Sequence, residues 1–332
     1  MHSIKVPDSD RNRAWLGKAK ASNGTTGYPM IELMGLVETG TRAMIGAVFG
    51  PPAESETGYA SRLLHLLGPD MLLLTDRGFD TETFLAAVNA TEAQFLARIR
   101  NNRRLAVLAR LDDGSYLAKF GVLTVRIIDA DITVTCADGT TWHDTYRLAT
   151  TLTDPRRNPA TALIAVYHER WEHEITYLAL RHTLLGGRVL RSTDPGGVQQ
   201  EMWALLTLYQ TLRIAMVTAV ESAPGTDPDR ADFTLAQQTA TDLLINAEGV
   251  IASERIDPIG NIGRAILADL HHPRRPRTSV RKVKSPLSRY NKADPHRPHC
   301  STKITAIHIG ITNTNHPRTP RPSNDLTTAP EP

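Results

Sequence analysis

The stretch MLLLTDRGFD (residues 71–80) decides the fold, because it joins a continuous apolar run to a turn that opens with an aspartate. The run Met71 to Thr75 is typical of a buried central strand. Asp76 follows at the carboxyl end of that strand, where catalytic and ligand-binding groups collect in α/β sheets. The sequence therefore predicts a strand with a functional carboxylate at its end.

The segments on both sides extend this strand into an α/β pattern. Two apolar runs flank the turn sequence ETGTR and predict a β-hairpin. Apolar residues at helical spacing predict helices before and after Asp76, and a second strand follows. The predicted order is a hairpin at Met30–Val37 and Ala43–Phe49, a helix at Glu54–Leu67, a helix at Thr81–Ala90 and a strand at Gln94–Ile99. This order favours a mixed sheet flanked by helices.

The residue patterns divide the rest of the chain into a β-rich part, a helical part and a basic tail. Short β-branched runs at Val122–Ile128 and Ile132–Cys136 precede a turn at Asp138-Gly139 and a strand within Thr140–Leu152. Helices are predicted over Thr161–Leu185, Val198–Val220 and Leu235–Ala247. We expect boundaries at 1–103 for the first part of the core, 104–152 for a β-rich insertion, 153–270 for the helical remainder and 271–332 for the tail.

Composition excludes several classes of protein. With 332 residues, 41% of them hydrophobic, most of the chain can bury a core, which excludes wholesale disorder. The apolar stretch Leu205–Val220 is interrupted by Gln210 and Arg213, so no membrane span is predicted. The N-terminus lacks the apolar segment of a signal peptide, and Cys136 and Cys300 are too few for a disulfide framework. We expect a cytoplasmic protein without a membrane partner.

The charge of the chain is divided unevenly. Residues 271–332 hold 12 Lys and Arg against 3 Asp and Glu, a local balance of +9, whereas the first 270 residues carry −6. The prolines of this tail are incompatible with a regular helix and indicate an extended arm. Such an arm suits a polyanion, and a solvated tail without a partner is the equally weighted alternative.

Four side chains of the predicted Thr161–Leu185 helix fall on one stripe at 100° per residue: Tyr167, Arg170, Glu174 and Arg181. Two guanidiniums, a carboxylate and a tyrosine on one face can hold phosphates and a metal ion together. The alternative is a solvated polar face opposite a core face made of Trp171, Ile175 and Leu178.

The segment YHERWEHEITYLALR (residues 167–181) has the spacing Tyr, two residues, Arg, three residues, Glu, six residues, and a cation. It resembles the Tyr-Arg-Glu-Lys signature of insertion-sequence transposases of the DDE class, with Arg181 where the family has lysine. LLLTDRGFD resembles the family's second-aspartate motif. VPDSDRNRAWLG is similar to the segment after its first aspartate, and PGGVQQEMWALLTLYQTLR to the helix after its glutamate.

The resemblance implies a fold, a reaction and a set of roles. The fold is ribonuclease-H-like, with a β-rich insertion before the glutamate helix. Asp76 is then the second catalytic aspartate and Glu174 the catalytic glutamate, and both bind Mg²⁺ (or Mn²⁺) for cleavage and strand transfer of transposon ends. Tyr167, Arg170 and Arg181 contact DNA phosphates. The partners are double-stranded DNA, both transposon ends and target, and a second copy in a homodimeric DNA complex, nucleoid-associated when bound.

The first aspartate of the family has no counterpart here, because MHSIKVP (residues 1–7) contains no acidic residue. We therefore expect the chain to be truncated just after that aspartate and its catalysis to be impaired. Asp8 and Asp10 are nearby, but they match the following loop.

Tyr146 precedes Tyr167 by 21 residues, where relatives use an aromatic ring that stacks on a flipped base. Cross-strand packing is an equally good interpretation of Tyr146, and Trp142 competes for the stacking role.

Other metal patterns are weak. The HExxEH cluster at His168–His173 lacks the spacing of zinc proteases, and His296, His299 and Cys300 lack a fourth ligand.

Two other functions stay open beside the transposase. One is a non-catalytic DNA-binding remnant of a transposase, which the missing aspartate favours. The other is a ribonuclease-H-like nuclease that uses the same metal chemistry without strand joining.

Overall fold

The computed structural model describes residues 1–18, 20–21, 24–25, 27–136, 139, 141–247, 257–272 and 304–311. The chain is α/β, with a three-stranded sheet, a seven-stranded sheet and helices packed on both. The predicted fold class, a mixed sheet flanked by helices, is confirmed at this level.

The N-terminal sheet is antiparallel and contains the predicted hairpin. Its strands are β1 (His2–Lys5), β4 (Met30–Val37) and β5 (Met44–Gly50), with β4 in the middle. Two two-residue strands, β2 (Lys20–Ala21) and β3 (Gly24–Thr25), pair with each other between β1 and β4. The hairpin turn is closed by the Glu38 carboxylate, which accepts hydrogen bonds from the Gly40 and Thr41 amides at 2.7 and 2.6 Å.

The second sheet is mixed, because one of its pairings is parallel. Strand β6 (Leu72–Thr75) runs parallel to β7 (Gln94–Ile99), and the strands beyond β7 are antiparallel to their neighbours. The order from β6 is β7, β11 (Thr141–Thr150), β10 (Leu123–Cys136), β9 (Tyr116–Phe120) and β8 (Val107–Arg110), with β12 (Ile304–Ile311) on the far half of β10. The strands of the predicted β-rich segment thus continue the sheet that carries Asp76.

Two predictions about strands were wrong. Leu72–Thr75 is not a central strand, since among the described strands it pairs only with β7 and ends the sheet. The two predicted runs within 122–136 are one strand, β10. The polar residues that interrupt the apolar pattern are accommodated because Asp129 pairs with Arg147 on β11 at 2.6 Å.

The helices begin where side chains cap free backbone amides. Ser9, Ser55, Thr81 and Asp194 each accept a hydrogen bond from the first turn of the helix that follows. The predicted 54–67 helix is shorter, because it becomes a 3₁₀ turn at Leu64–Leu66. The helices are α1 (Asp10–Leu16), α2 (Glu56–Ser61), α3 (Glu82–Asn89), α4 (Ala160–His168), α5 (Glu172–Leu178), α6 (Pro195–Glu221), α7 (Phe233–Ala247) and α8 (Pro258–Ala268).

The predicted 161–185 helix is a continuous helical segment with two irregular turns. A 3₁₀ turn at Glu169–Trp171 joins α4 to α5, and a π turn at Ala179–Leu184 follows α5. The segment ends at Gly186 and Gly187, whose φ angles of 58° and 70° suit glycine. These turns replace the uniform 100° spacing on which the predicted stripe depends.

Helices cover both faces of the seven-stranded sheet. Phe84, Leu85 and Val88 of α3 pack on one face with Phe95 and other strand residues. Leu163, Ile164 and Tyr167 of α4 pack on the opposite face with Leu96, Tyr146 and Leu148. The sheet therefore places Asp76 at its edge with α4 on one side.

Helix α6 forms the centre of the other core, beneath the N-terminal sheet. It is long and apolar enough to cross a membrane, but half of its most apolar 18-residue stretch is buried inside the protein. Arg213, in the middle of the helix, is buried and donates to the Tyr209 hydroxyl at 3.1 Å.

The C-terminal tail was predicted to be an extended arm. Within it the structure describes residues 271–272 and strand β12, and the rest of the basic stretch, including His296, His299 and Cys300, lies outside the described residues.

Candidate functional site

Asp76 lies directly after β6 and caps the 3₁₀ turn Arg77–Phe79. Its Oδ1 accepts a hydrogen bond from the Gly78 amide at 2.8 Å. A Cβ atom at Gly78 would lie 3.0 Å from this oxygen and 2.9 Å from Oε2 of Glu56, so the two carboxylate oxygens are within about 6 Å of each other. The absent side chain of Gly78 leaves room for both carboxylates.

Glu56 is a residue that sequence reasoning missed. It lies in the first turn of α2, where an acidic residue is ordinary because it complements the helix dipole. Only the packing of α2 against the turn after β6 brings it to Asp76. Its Oε1 accepts a hydrogen bond from the Met1 amino group at 2.7 Å.

Tyr167, Arg170 and Glu174 form a continuous group on the helical segment. The guanidinium carbon of Arg170 lies 5.8 Å from the centre of the Tyr167 ring, and Nη2 lies 3.9 Å from Oε1 of Glu174. Burial raises the pKa of the Tyr167 hydroxyl, an effect that nearby Arg170 and Arg98 oppose and that Asp76 reinforces. Asp76 thus lies near Tyr167, and Glu174 lies near Arg170.

Arg98 is the second residue that sequence reasoning missed. In the parallel pairing of β6 and β7, Thr75 lies opposite Ala97, so Arg98 is the strand neighbour of Asp76. Its guanidinium carbon lies 5.4 Å from the centre of the Tyr146 ring. Arg98 and Asp76 both act on the pKa of the Tyr167 hydroxyl, so both lie near that residue. Only the strand register could have revealed this placement of Arg98.

Three polar atoms of this group are buried without a well-aligned hydrogen-bond partner in the described part of the chain. They are Nε of Arg98, Nε of Arg170 and the hydroxyl of Tyr167. A buried donor without a partner costs about 1–3 kcal/mol, so most folded proteins avoid it. Two guanidiniums and a hydroxyl together are suited to an anion with several acceptor oxygens, such as a phosphate.

Tyr146 is buried, with 4% of its surface exposed. Its ring lies 6.0 Å from that of Tyr167, and its hydroxyl lies 3.3 Å from Nε2 of His168. In this conformation the ring packs between strands and helix, as the packing alternative expects, and a base could reach it only after a rearrangement. Trp142 lies on β11, and its side chain is outside the described part.

Arg181 lies apart from this group. It is seven residues beyond Glu174, which corresponds to about 10 Å along a helix at 1.5 Å per residue. Its neighbours are Ser3 and Lys5 of β1 and Arg188. The structure therefore gathers Tyr167, Arg170 and Glu174 and places Arg181 beside the N-terminal strand.

The apolar residues that the solvated-face alternative assigned to a core are largely exposed. Trp171 is 51% exposed and Leu178 is 53% exposed. The buried residues of α5 are instead Glu172, Thr176 and Tyr177. The predicted core face of that alternative was therefore wrong, and the helix turns a polar side inward.

These inward residues fix the helix that carries Glu174. The Tyr177 hydroxyl donates to the Leu33 carbonyl at 3.2 Å and accepts from the Gly35 amide at 2.8 Å. Buried Glu172 pairs with buried Arg42, which also binds Asp229. Glu174 is thus held between anchors on strand β4 and on the turn after it.

The remaining acidic and histidine candidates are engaged elsewhere. Asp8 pairs with Arg13 at 2.9 Å and with Lys18 at 2.6 Å, and Asp10 pairs with Arg13. His173 contacts the Gly35 carbonyl at 3.2 Å. The side chains of the HExxEH cluster thus contact different partners: His168 contacts Tyr146, and Glu172 contacts Arg42.

Comparisons with known proteins show which protein family this chain matches and which proteins it is similar to. Residues 2–210 match the family model described as the transposase DDE domain. The chain is 24% identical over 253 residues to transposase InsG for insertion sequence element IS4 of Escherichia coli (strain K12), which covers 74% of this chain and 57% of InsG. It is 28% identical over 154 residues to putative transposase y4zB of Sinorhizobium fredii (strain NBRC 101917 / NGR234), covering 42% and 41%.

The chain thus spans about half the length of the curated relatives that it matches. A cryo-EM structure of a piggyBac transposase synaptic complex with hairpin DNA aligns with 79% of this chain and 55% of its own, at 13% identity and a TM-score of 0.41. That likeness is too weak to bear on the fold.

Proposed function

Since this chain belongs to the transposase DDE-domain family, as a DDE-class insertion-sequence transposase, we propose that it acts on transposon ends by cleavage and strand transfer of DNA. The observation that carries the proposal is the group of Arg98, Tyr167 and Arg170 near Asp76 and Glu174, in which Nε of both arginines and the tyrosine hydroxyl are buried without a well-aligned hydrogen-bond partner among the described residues. Cationic and hydroxyl donors next to carboxylates suit a phosphodiester whose bond is to be cut.

Transposases of the DDE class generally use divalent metal ions. The donor chemistry at Asp76 fits such an ion, because Mg²⁺ and Mn²⁺ prefer carboxylate oxygens. The number of donors does not fit, since among the described residues no group of three Asp, Glu, His or Cys side chains is placed to hold a metal. We take Asp76 and Glu174 as two ligands of an ion that this polypeptide binds weakly, and no reaction step is assigned to it.

The chain's own residues supply positioning and charge. Arg98 and Arg170 bind the phosphate through guanidinium forks. Tyr167, whose hydroxyl stays protonated because its pKa is raised, donates a third hydrogen bond. Arg181 contacts a further phosphate, and Tyr146 is the proposed stacking partner of a flipped base once it is exposed. Glu172 and Tyr177 keep the helix of Glu174 in place.

The wider setting follows from the family. The proposed core is ribonuclease-H-like, formed by the β1–β4–β5 sheet and the parallel β6–β7 pair, with 104–152 as the β-rich insertion. The proposed partners are double-stranded DNA and, in the DNA complex, a second copy of the chain. The proposed location is the cytoplasm, at the nucleoid when DNA is bound.

A second candidate function is a non-catalytic DNA-binding protein. The observation in its favour is that, in the described part of the chain, no three Asp, Glu, His or Cys side chains are placed to hold a metal together, Glu56 beside Asp76 included. Strand β1, His2–Lys5, carries no acidic residue. A ribonuclease-H-like nuclease is a weaker candidate, because no specific observation favours it.

A nicking assay on supercoiled plasmid in Mg²⁺ or Mn²⁺ separates these functions. We expect little or no cutting by the chain as given. An added Asp-Gly ahead of Met1 brings a third carboxylate toward Glu56, because the Met1 amino group already lies 2.7 Å from Glu56. We expect that extension to produce metal-dependent nicking, and Glu174→Gln in the extended chain to abolish it.

The outcomes are distinct. Nicking by the extended chain that persists in Glu174→Gln would contradict the assignment of Glu174. Absence of nicking together with salt-sensitive DNA binding would favour the non-catalytic function. Absence of any DNA binding at low salt would refute both.

A further inference from the structure

A shallow depression lies beside the N-terminal strand, about 10 Å along the helical segment from Glu174 by the rise of a helix. Three cations line it: Lys5 from β1, Arg181 from the π turn, and Arg188 from the segment that follows. Ser3, Ile4, Leu185 and Gly187 complete its wall. Lys5 and Arg188 have no part in the predicted site.

The backbone brings these cations together. Gly187 donates its amide to the Arg181 carbonyl at 2.8 Å, which closes the end of the helical segment. The chain then reverses, and the Leu190 amide donates to the Lys5 carbonyl at 3.0 Å. Arg188 is therefore held between the helix end and β1, and its position does not depend on a side-chain contact.

The three charges are not neutralised by the residues around them. All three residues are exposed, no carboxylate lines the depression, and no ion pair joins any of them to another described residue. Other cations of the N-terminal region differ, because Arg13 and Lys18 both pair with Asp8. Like charges gathered in one concavity repel each other, and an anion bound among them removes that cost.

We propose that Lys5, Arg181 and Arg188 form one phosphate-binding patch, which holds the DNA backbone at a phosphate separate from that bound by Arg98 and Arg170. The proposal rests on the proposed function and adds Lys5 and Arg188 to the DNA interface. The separation of about 10 Å from Glu174 corresponds to about three nucleotides at 3.4 Å per nucleotide. A strand that reaches Glu174 therefore continues to the patch.

The test measures binding of a fluorescein-labelled 30-base-pair duplex of arbitrary sequence by anisotropy at several KCl concentrations. The variant Lys5→Gln/Arg188→Gln leaves Arg181 and the site at Asp76 intact. We expect its affinity to fall about tenfold and the slope of log affinity against log salt to lose about 1.8, at about 0.9 per phosphate contact. Lys5→Arg/Arg188→Lys, which keeps both charges, is expected to retain the wild-type slope.

A matched control removes the same charge elsewhere. Arg11→Gln/Arg264→Gln replaces two exposed arginines on α1 and α8, and we expect an unchanged slope. An equal loss in this control would overturn the proposal, because net charge alone would then explain the effect. A steep wild-type slope that Lys5→Gln/Arg188→Gln does not alter would also overturn it and leave the proposed function standing. A wild-type chain that does not bind duplex DNA would refute the proposed function itself.

Discussion

Arginines with buried nitrogen atoms in the seven-stranded sheet and in the helical segment packed on it differ in how their donors are used. Arg126 is fully buried and donates to the Ser115 hydroxyl at 2.8 Å, to the Asn158 carbonyl at 2.6 Å and to Asp113. Arg98 on β7 and Arg170 in the helical segment each keep a buried Nε without a well-aligned partner among the described residues.

The difference supports the proposal that Arg126 serves the fold and that Arg98 and Arg170 bind a ligand. A buried cation that serves the fold is surrounded by acceptors, because an unpaired donor lowers stability. Donors near Asp76 that lack a well-aligned partner among the described residues cost stability, and a bound phosphate would offset that cost. The comparison therefore supports the proposed site without reference to any family.

The largest expected effect is on the free energy of unfolding, and it concerns Arg126, the arginine whose donors are paired. Arg126→Met removes the cation that pairs with Asp113 and the donor to the Asn158 carbonyl, while Asp113 keeps its hydrogen bonds from Ser115 and the Ala160 amide. We expect the free energy of unfolding to fall by about 3–5 kcal/mol, as for a broken buried ion pair. Urea denaturation followed by circular dichroism measures it. A loss below about 1 kcal/mol would show that this network contributes little to stability. Arg126 could then no longer serve as the example of an arginine that stabilises the fold.

The next effect concerns the metal. Asp76→Asn removes a charged oxygen donor while it keeps the shape of the side chain, so we expect Mn²⁺ affinity to fall at least tenfold, about 1.4 kcal/mol. Electron paramagnetic resonance of free Mn²⁺ measures the binding. Glu221→Gln, at the exposed end of α6, is the control that should not change it. Equal affinity in both variants would contradict a role for Asp76 as a ligand.

A smaller expected effect is the pH dependence of stability caused by the burial of His2. The pKa of His2 is lowered to about 4, chiefly by burial and also by the Met1 amino group, whereas the unfolded value is 6.5. Because the unfolded chain binds the proton more tightly, this group's contribution to stability is complete above pH 6.5 and is lost as pH falls toward 4. The side chain is partly exposed, so we expect about 1 kcal/mol.

The measurement for His2 is the free energy of unfolding of the wild type and of His2→Gln between pH 7 and 4. The variant also loses the contact of the ring with Tyr177, 4.1 Å between centres, which shifts all values by a constant. Only the slope is diagnostic. Parallel curves for the two proteins would show that His2 does not titrate as its burial indicates.

The sequence predicted the elements whose signals are local. The hairpin at 30–50, the strand Gln94–Ile99 and the long helical segment from Ala160 to Leu184 follow from apolar periodicity, turn residues and the Gly186-Gly187 stop. Asp76 was placed correctly at the carboxyl end of its strand. These features depend on neighbours in the chain, so a pattern can reveal them.

The features that were missed depend on contacts between distant segments. Arg98 becomes the neighbour of Asp76 only through the register of β6 and β7, and Glu56 reaches Asp76 only through the packing of α2. Short apolar runs look alike at the edge and in the centre of a sheet, so Leu72–Thr75 was misplaced. The irregular turns around α5 leave no sequence signal, because every residue there favours ordinary helical angles.

The central claim is that Arg98 and Arg170 are retained for a phosphate and not for the fold. The most direct measurement compares Arg98→Met/Arg170→Met with the wild type in two ways: duplex DNA affinity against salt, and the free energy of unfolding. We predict an affinity about tenfold lower, a salt slope reduced by about 1 to 2, and an unfolding free energy unchanged within about 1 kcal/mol or increased. Unchanged DNA affinity together with a loss of stability as large as that of Arg126→Met would contradict the account.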